Sequence, residues 1–336
     1  MASAGAEPSR ADLLIQGAPA SRRPLPSSPW PAATRERTVM TLTTPSGART
    51  ALRSLAIGTV LAATAALVPA GAAIAAPAPQ VSLLALGDST TRAFTACGSF
   101  TDCPERSWST GSFPAVDSFA QRLQASRPWV TVSTANFAQS GNTVAQVPAR
   151  VAAAVSAGVH PNVVTLLVGG NDLCGPNVPV ASDGYPMTPV DTFRQGVDAA
   201  MSAIRSSWPT AGIVLASVPD NASQWRSVRG TSGAGLWASA GLCRTTRGVS
   251  ATGTPLSPAA AAASVAAAAK RLKDFDAVLE NACDAQGSQC RWDGGALSRL
   301  DFTPDLLSTV DHFHPSVAGQ ARIAEVEWNA SSLATG

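Results

Sequence analysis

Chemistry in this chain has few residues to work with, and their spacing narrows what it could be. Ser89 comes two residues after Gly87, where an apolar run over 81–86 stops abruptly. A serine hydroxyl becomes a nucleophile when a base takes its proton, and histidine is the usual base. The chain has three histidines. His160 falls between a helical stretch and the start of an apolar run, which puts it at the wrong end of a sheet and marks it as structural. His314 follows Asp311 by three residues, a spacing at which a carboxylate can reach an imidazole, hold its tautomer and stabilise its cation. His312 adjoins Asp311 directly and is expected to point away from it, as a surface or substrate-facing residue. Acyl transfer also needs donors aimed at a developing oxyanion. Gly141 offers an N–H that no Cβ obstructs, and Asn171 offers a side-chain amide. Taken one at a time these residues read more plainly: a polar turn, a loop ion pair, a turn-prone Gly-Gly-Asn-Asp. Together they form the set that nucleophilic acyl transfer requires.

The elements around them must bring these residues to one place. Apolar runs over 81–86, 130–137, 163–168 and 213–218 have strand length, and residues 290–292 form a short fifth. Helical patterns follow from 113 (Val116, Phe119, Ala120 and Leu123 on one face), over 144–157 and 190–207, and after Ser316. Ser257-Pro258, an N-cap and first-turn pair, opens an alanine-rich helix to about residue 281. Strands alternating with helices imply a single α/β domain, a parallel sheet covered on both faces in three α/β/α layers. If the first strand lies between the second and third, a flavodoxin-like order, Ser89, Gly141 and Asn171 converge at the carboxyl ends of the strands. Residues 173–189 read as loop. Residues 221–256, rich in Gly, Ser and Thr and holding Trp225, Trp237 and Cys243, read as a long functional excursion pinned by its cysteine. The G-x-S-x-G elbow is absent, which argues against the α/β-hydrolase fold.

Four spaced blocks, Gly87-Asp88-Ser89, Gly141, Gly169-Gly170-Asn171-Asp172 and Asp311-His312-Phe313-His314-Pro315, stand in the order of the motifs G-D-S, Gly, G-x-N-D and D-x-x-H. In this the chain resembles the SGNH hydrolases, also called GDSL esterases/lipases, over residues 81–332. The resemblance implies an SGNH-type sheet of about five strands. It also implies a serine esterase or lipase with Ser89 as nucleophile, His314 as base and Asp311 as its orienter. The oxyanion hole would be formed by Gly141, Asn171 and, by family analogy, the Ser89 N–H. Thr90 stands where the family name has leucine. Val218-Pro219-Asp220, the run 290–295 and Phe313-His314-Pro315-Ser316 resemble a secreted, disulfide-bonded bacterial subgroup. Two other readings are a non-catalytic glycan- or lipid-binding module using Trp225 and Trp237, and an acyltransferase or carbohydrate deacetylase.

Composition sets the remaining bounds. The 336 residues carry a formal net charge of +2, and no glycine–lysine phosphate loop or basic–aromatic run appears, so nucleic acid is not an expected partner. The expected partner is a small-molecule or lipid ester, acted on by a monomer. No metal or organic cofactor is implied, since the six cysteines include no C-x-x-C pair. Short closure favours Cys97–Cys103 and Cys283–Cys290, leaving Cys174–Cys243 for a long loop. Residues 1–39 read as disordered or as a mis-annotated upstream extension. Met40, Arg49 and Arg53, the apolar run 55–68 and Ala73-Ile74-Ala75 read as a secretory signal peptide over 40–75. An apolar core of about 14 residues falls short of the roughly 20 that span a membrane, so stable insertion is not expected. The domain is then 76–336, secreted, in a compartment that permits disulfides.

Overall fold

The computed structural model describes residues 78–331. The expected leader and upstream extension lie outside the described residues. Five parallel strands form the sheet: β1 (Gln80–Gly87), β2 (Thr131–Asn136), β3 (Val163–Leu167), β4 (Gly212–Leu215) and β5 (Cys290–Trp292). Their order is β2-β1-β3-β4-β5, so β1 does lie between β2 and β3. The central strands are buried because helices cover both faces, and β3 and β4 are buried throughout. This is why their sequences are continuous Val, Ile and Leu runs without alternation. β2 departs from that expectation. As an edge strand its residues are exposed or half-buried, and Thr, Ser and Asn replace the aliphatics.

Helices α1 (Phe119–Ser126) and α8 (Val317–Ala330) pack together on one face, with Phe119 edge-on to Trp328 at 5.3 Å. On the other face lie α2 (Val147–Ser156), α4 (Val190–Ser207) and α7 (Pro258–Asp284), with Phe193 of α4 stacked on Phe275 of α7 at 3.8 Å. α1 begins later than the apolar pattern suggested. Pro114–Val116 forms a 3₁₀ turn, and Ser118 then starts the helix in a reciprocal capping box with Gln121. Ser257 caps α7 as expected, accepting from the Ala260 N–H, with Pro258 in the first turn.

The excursion over 221–256 is not structureless. It contains α5 (Asn221–Val228) and α6 (Gly233–Ser239), with a further short helix, α3 (Gly170–Cys174), at the end of β3. α5 is started by Asp220, whose side chain accepts from the Ala222 N–H. Helices of seven or eight residues carry too little periodicity to stand out among Gly, Ser and Thr. Trp237 is completely buried and packs on Trp225 at 5.4 Å, so this pair is a packing core and not an exposed platform for glycans. The disulfides are Cys97–Cys103, Cys174–Cys243 and Cys283–Cys290, the expected pairing.

Candidate active site

The site lies where β1 and β3 end. Gly87 closes β1 with φ +144°, and a Cβ there would lie 2.3 Å from the Leu167 carbonyl oxygen, so only glycine lets the two strand ends meet this closely. The chain then turns: the Thr90 N–H donates to Asp88 Oδ1 (2.9 Å) and the Phe94 N–H to the Ser89 carbonyl (3.0 Å). This turn leaves Ser89 buried but bordering a narrow crevice.

The Ser89 hydroxyl lies 2.8 Å from His314 Nε2, and His314 Nδ1 lies 2.5 Å from Asp311 Oδ2. The other Asp311 oxygen accepts from the N–H groups of Phe313 (3.0 Å) and His314 (3.1 Å). Burial works to raise the Asp311 carboxyl. The bond and charge of His314, with those two N–H groups, outweigh it and hold the carboxyl below its ordinary value. The imidazole is flanked edge-on by Phe94 (5.0 Å) and Phe313 (4.8 Å), which restrict its tilt.

Gly141 takes φ +83°, a conformation that side chains resist. Neither its N–H nor that of Ser89 donates to another described residue. Asn171 donates from Nδ2 to the Asn142 carbonyl at 2.9 Å. A carbonyl can only accept, which fixes the orientation of the amide and leaves its second hydrogen free. Gly141 and Asn171 border a cavity of about 450 Å³ whose walls include Val144, Ala145, Pro176 and Val178. The crevice holding Ser89 and His314 measures about 20 Å³ and shares Asn171 with that cavity.

His160 is exposed just before β3, at the opposite end of the sheet from Ser89. His312 is half-buried in a left-handed conformation (φ +55°), its carbonyl accepting from Trp237 Nε1 at 2.9 Å. Asp311 bonds to Phe313 and His314 and not to His312. Two buried acids lie under the site. Asp88 and Asp172 are each raised to about 6, chiefly by burial, and the charge of Asp88 adds to the rise at Asp172. One group of possible metal ligands gathers among the described residues, Cys97, Cys103 and Glu105, but both sulfurs are spent in a disulfide.

Residues 83–326 match the family model of the GDSL-like lipases/acylhydrolases. The chain belongs to this family. It is accordingly a serine esterase/lipase, a hydrolase of carboxylic esters, and its three disulfides fit the disulfide-bonded subgroup. Among solved structures it is similar to TesA at 17% identity, covering 75% of this chain and 99% of that one with a TM-score of 0.43. It is similar to an acetylxylan esterase from Geobacillus stearothermophilus at 19% identity, 76% and 95% coverage and a TM-score of 0.46. An α/β hydrolase enzyme from the metagenome of Lake Arreo, Spain, gives 19% identity, 77% and 98% coverage and a TM-score of 0.46. No curated protein matches the chain.

The GDSL position is occupied here by Thr90, which bonds to Asp88 through its N–H and its side chain and also offers a carbonyl that any residue would supply. That carbonyl accepts from Gln320 Nε2 of α8 at 2.8 Å, while Gln320 Oε1 accepts from the Trp108 N–H at 2.8 Å. Gln320 is fully buried and ties the helix that follows His314 to the turn that carries Ser89. Sequence reading passed over it. The available signal, a polar residue on the buried face of the helix, is shared by Glu327 and so did not single Gln320 out.

Proposed function

We propose that this GDSL-family chain hydrolyses esters in two steps through an acyl-enzyme on Ser89. The observation that carries the reading is the unbroken relay from Ser89 Oγ through His314 to Asp311, at 2.8 and 2.5 Å. His314 Nε2 takes the hydroxyl proton as Ser89 Oγ attacks the ester carbonyl. Asp311 holds the proton on Nδ1 and stabilises the imidazolium that forms. The same imidazolium then protonates the departing alkoxide. Water, deprotonated by His314 in turn, attacks the acyl-enzyme and releases the acid. The developing oxyanion is met by the N–H groups of Ser89 and Gly141 and by the Asn171 amide, donors not fully spent on other partners. The acyl chain occupies the cavity bordered by Gly141 and Asn171, whose aliphatic walls suit hydrocarbon.

Secretion is the second part of the proposal. All six cysteines are paired, a state that oxidising compartments maintain, and the leader-like segment at 40–75 fits export. The residues from 76 onward form one catalytic domain on this reading. The experiment is labelling with a serine-reactive organophosphonate followed by peptide mapping. The expected result is a single adduct on Ser89 that a short acyl ester competes away. An unlabelled protein would be a binding module on a hydrolase scaffold.

A further inference from the structure

Ser140 immediately precedes Gly141, and the peptide joining them carries the Gly141 N–H. The Asn142 N–H donates to the Gln139 carbonyl at 3.1 Å, closing a β-turn with Ser140 and Gly141 at its centre. Gly141, with φ +83°, has the value that a type II turn takes at its third position. A type I turn keeps the same closing bond but rotates the central peptide, and with it the Gly141 N–H, to the other side. Glycine tolerates φ of either sign, so the turn alone does little to choose between the two. The backbone N–H and carbonyl of Ser140 bond to no described residue. Its hydroxyl does: Ser140 Oγ donates to Asp102 Oδ1 at 2.5 Å.

The second oxygen of Asp102 is bonded as well. Arg92 Nε donates to Asp102 Oδ2 at 2.9 Å. Arg92 belongs to the turn that carries Ser89, where its N–H donates to the Asp88 carbonyl at 3.1 Å. Asp102 thus joins the turn that holds the nucleophile to the turn that holds Gly141. Exposed ion pairs count for little when two free side chains must be ordered to form them. Here the backbone of Asp102 is already fixed: the Cys97–Cys103 disulfide closes its loop, and the Cys103 N–H donates to the Arg92 carbonyl at 3.0 Å. We propose that Asp102 is a positioning residue for the oxyanion hole, acting through Ser140 to keep the Gly141 N–H in place relative to Ser89. The inference rests on the acyl-enzyme reading, in which that N–H is one of three donors. Misplacing a catalytic group by about 1 Å can cost as much as ~10²-fold in rate. The loss expected here is smaller, since the Ser89 N–H and the Asn171 amide remain.

Steady-state kinetics on a short acyl ester test this in the intact protein, with Ser140→Ala, Asp102→Ala and the double variant. Each single variant is expected to lower kcat by about tenfold while KM stays within about twofold, because an oxyanion donor acts in the transition state. Ser140→Thr keeps the hydroxyl and should recover kcat to within about threefold of the unsubstituted protein. The double variant should lose no more than Asp102→Ala alone, because both substitutions cut the same tie. A Ser140→Ala protein that melts at a lower temperature but keeps its kcat makes the tie structural only, which overturns the inference and leaves the esterase standing. Losses that multiply in the double variant also overturn it, since Asp102 and Ser140 would then act separately. If Asp102→Ala does not fold, the Ser140→Ala loss and the Ser140→Thr recovery decide the matter between them. An unsubstituted protein that hydrolyses no ester and leaves Ser89 unlabelled by organophosphonate removes the acyl-enzyme reading, and the inference with it.

Discussion

Three side-chain contacts decide what Ser89 can do. A serine hydroxyl alone is a weak nucleophile, and on the proposed mechanism Nε2 of His314, at 2.8 Å, is its proton acceptor. Ser89→Ala is therefore expected to lower turnover of a short acyl ester by at least ~10³-fold, read by steady-state kinetics. Near-normal turnover would remove Ser89 from the mechanism. Asn171 is held by the Asn142 carbonyl with one amide hydrogen to spare, which the proposed mechanism gives to the developing oxyanion. Asn171→Ala should cost about 10²–10³-fold in kcat with little change in KM. Gln139→Ala, in the neighbouring strand-end segment, is the control. A loss as large there would mean that the donors had been assigned to the wrong residues. Asp311, held below the ordinary carboxylate range by His314 and two N–H groups, stays ionised through mild acid and keeps its orienting charge.

At the scale of elements, the site depends on two segments that never pair in the sheet. The turn after β1 carries Ser89, and the loop before α8 carries Asp311 and His314. Strand pairing brings Gly141 and Asn171 to Ser89, since β2 and β3 flank β1, but it does nothing for a loop more than two hundred residues away. Gln320 closes that gap with its bonds to Thr90 and Trp108. Gln320→Leu fits the buried site by volume and leaves both backbone groups unsatisfied. The expected loss is about 2–4 kcal/mol of unfolding free energy by urea titration. kcat should fall more than KM rises, because the imbalance displaces His314 relative to Ser89. The α5–α6 segment supports the same loop from the other side, through Trp237 Nε1 on the His312 carbonyl and the Trp237 ring edge-on to Phe313 at 5.0 Å. The gap between Asp220 and Ser257 was legible in the sequence as an excursion, but its helices were not, because each spans only two turns.

Across the whole molecule, buried and half-buried carboxyls set how stability follows pH. Asp88, Asp172 and Asp276 are each raised from 3.8 to about 6, with burial the leading cause in every case. Buried Glu327 is raised well above its ordinary value by burial and by the nearby charge of Asp293. For such groups the folded state binds a proton that the unfolded state has already lost. Below about pH 4 both states are protonated and there is no penalty. As pH climbs through 6 the folded state must ionise its buried acids, and stability falls. Asp311 acts in the opposite sense, but its contribution is lost only below about pH 4, outside this window. The melting temperature should therefore rise as pH is lowered from 8 to about 5, by calorimetry, and Asp276→Asn should flatten the slope. A melting temperature that falls steadily over that range would contradict the burial of these acids. The three disulfides hold the frame meanwhile, Cys174–Cys243 closing a separation of 69 residues between α3 and the end of the α5–α6 segment.

What the chain spells locally was readable without coordinates. Apolar runs that end in Gly-Asp-Ser and Gly-Gly-Asn-Asp declare strand ends, and Asp311 three residues from His314 declares a carboxylate–imidazole pair, because each depends on spacings of a few residues. The sheet order could also be anticipated, since parallel strands joined by helices have few ways to arrange themselves. Only the tertiary structure decided that Gln320 ties α8 to the turn that carries Ser89 and that Trp237 is buried packing. Those contacts join residues far apart in sequence, where neither periodicity nor motif spacing constrains what meets what. Their identity follows from packing, and packing is settled only once the whole chain has closed around the sheet.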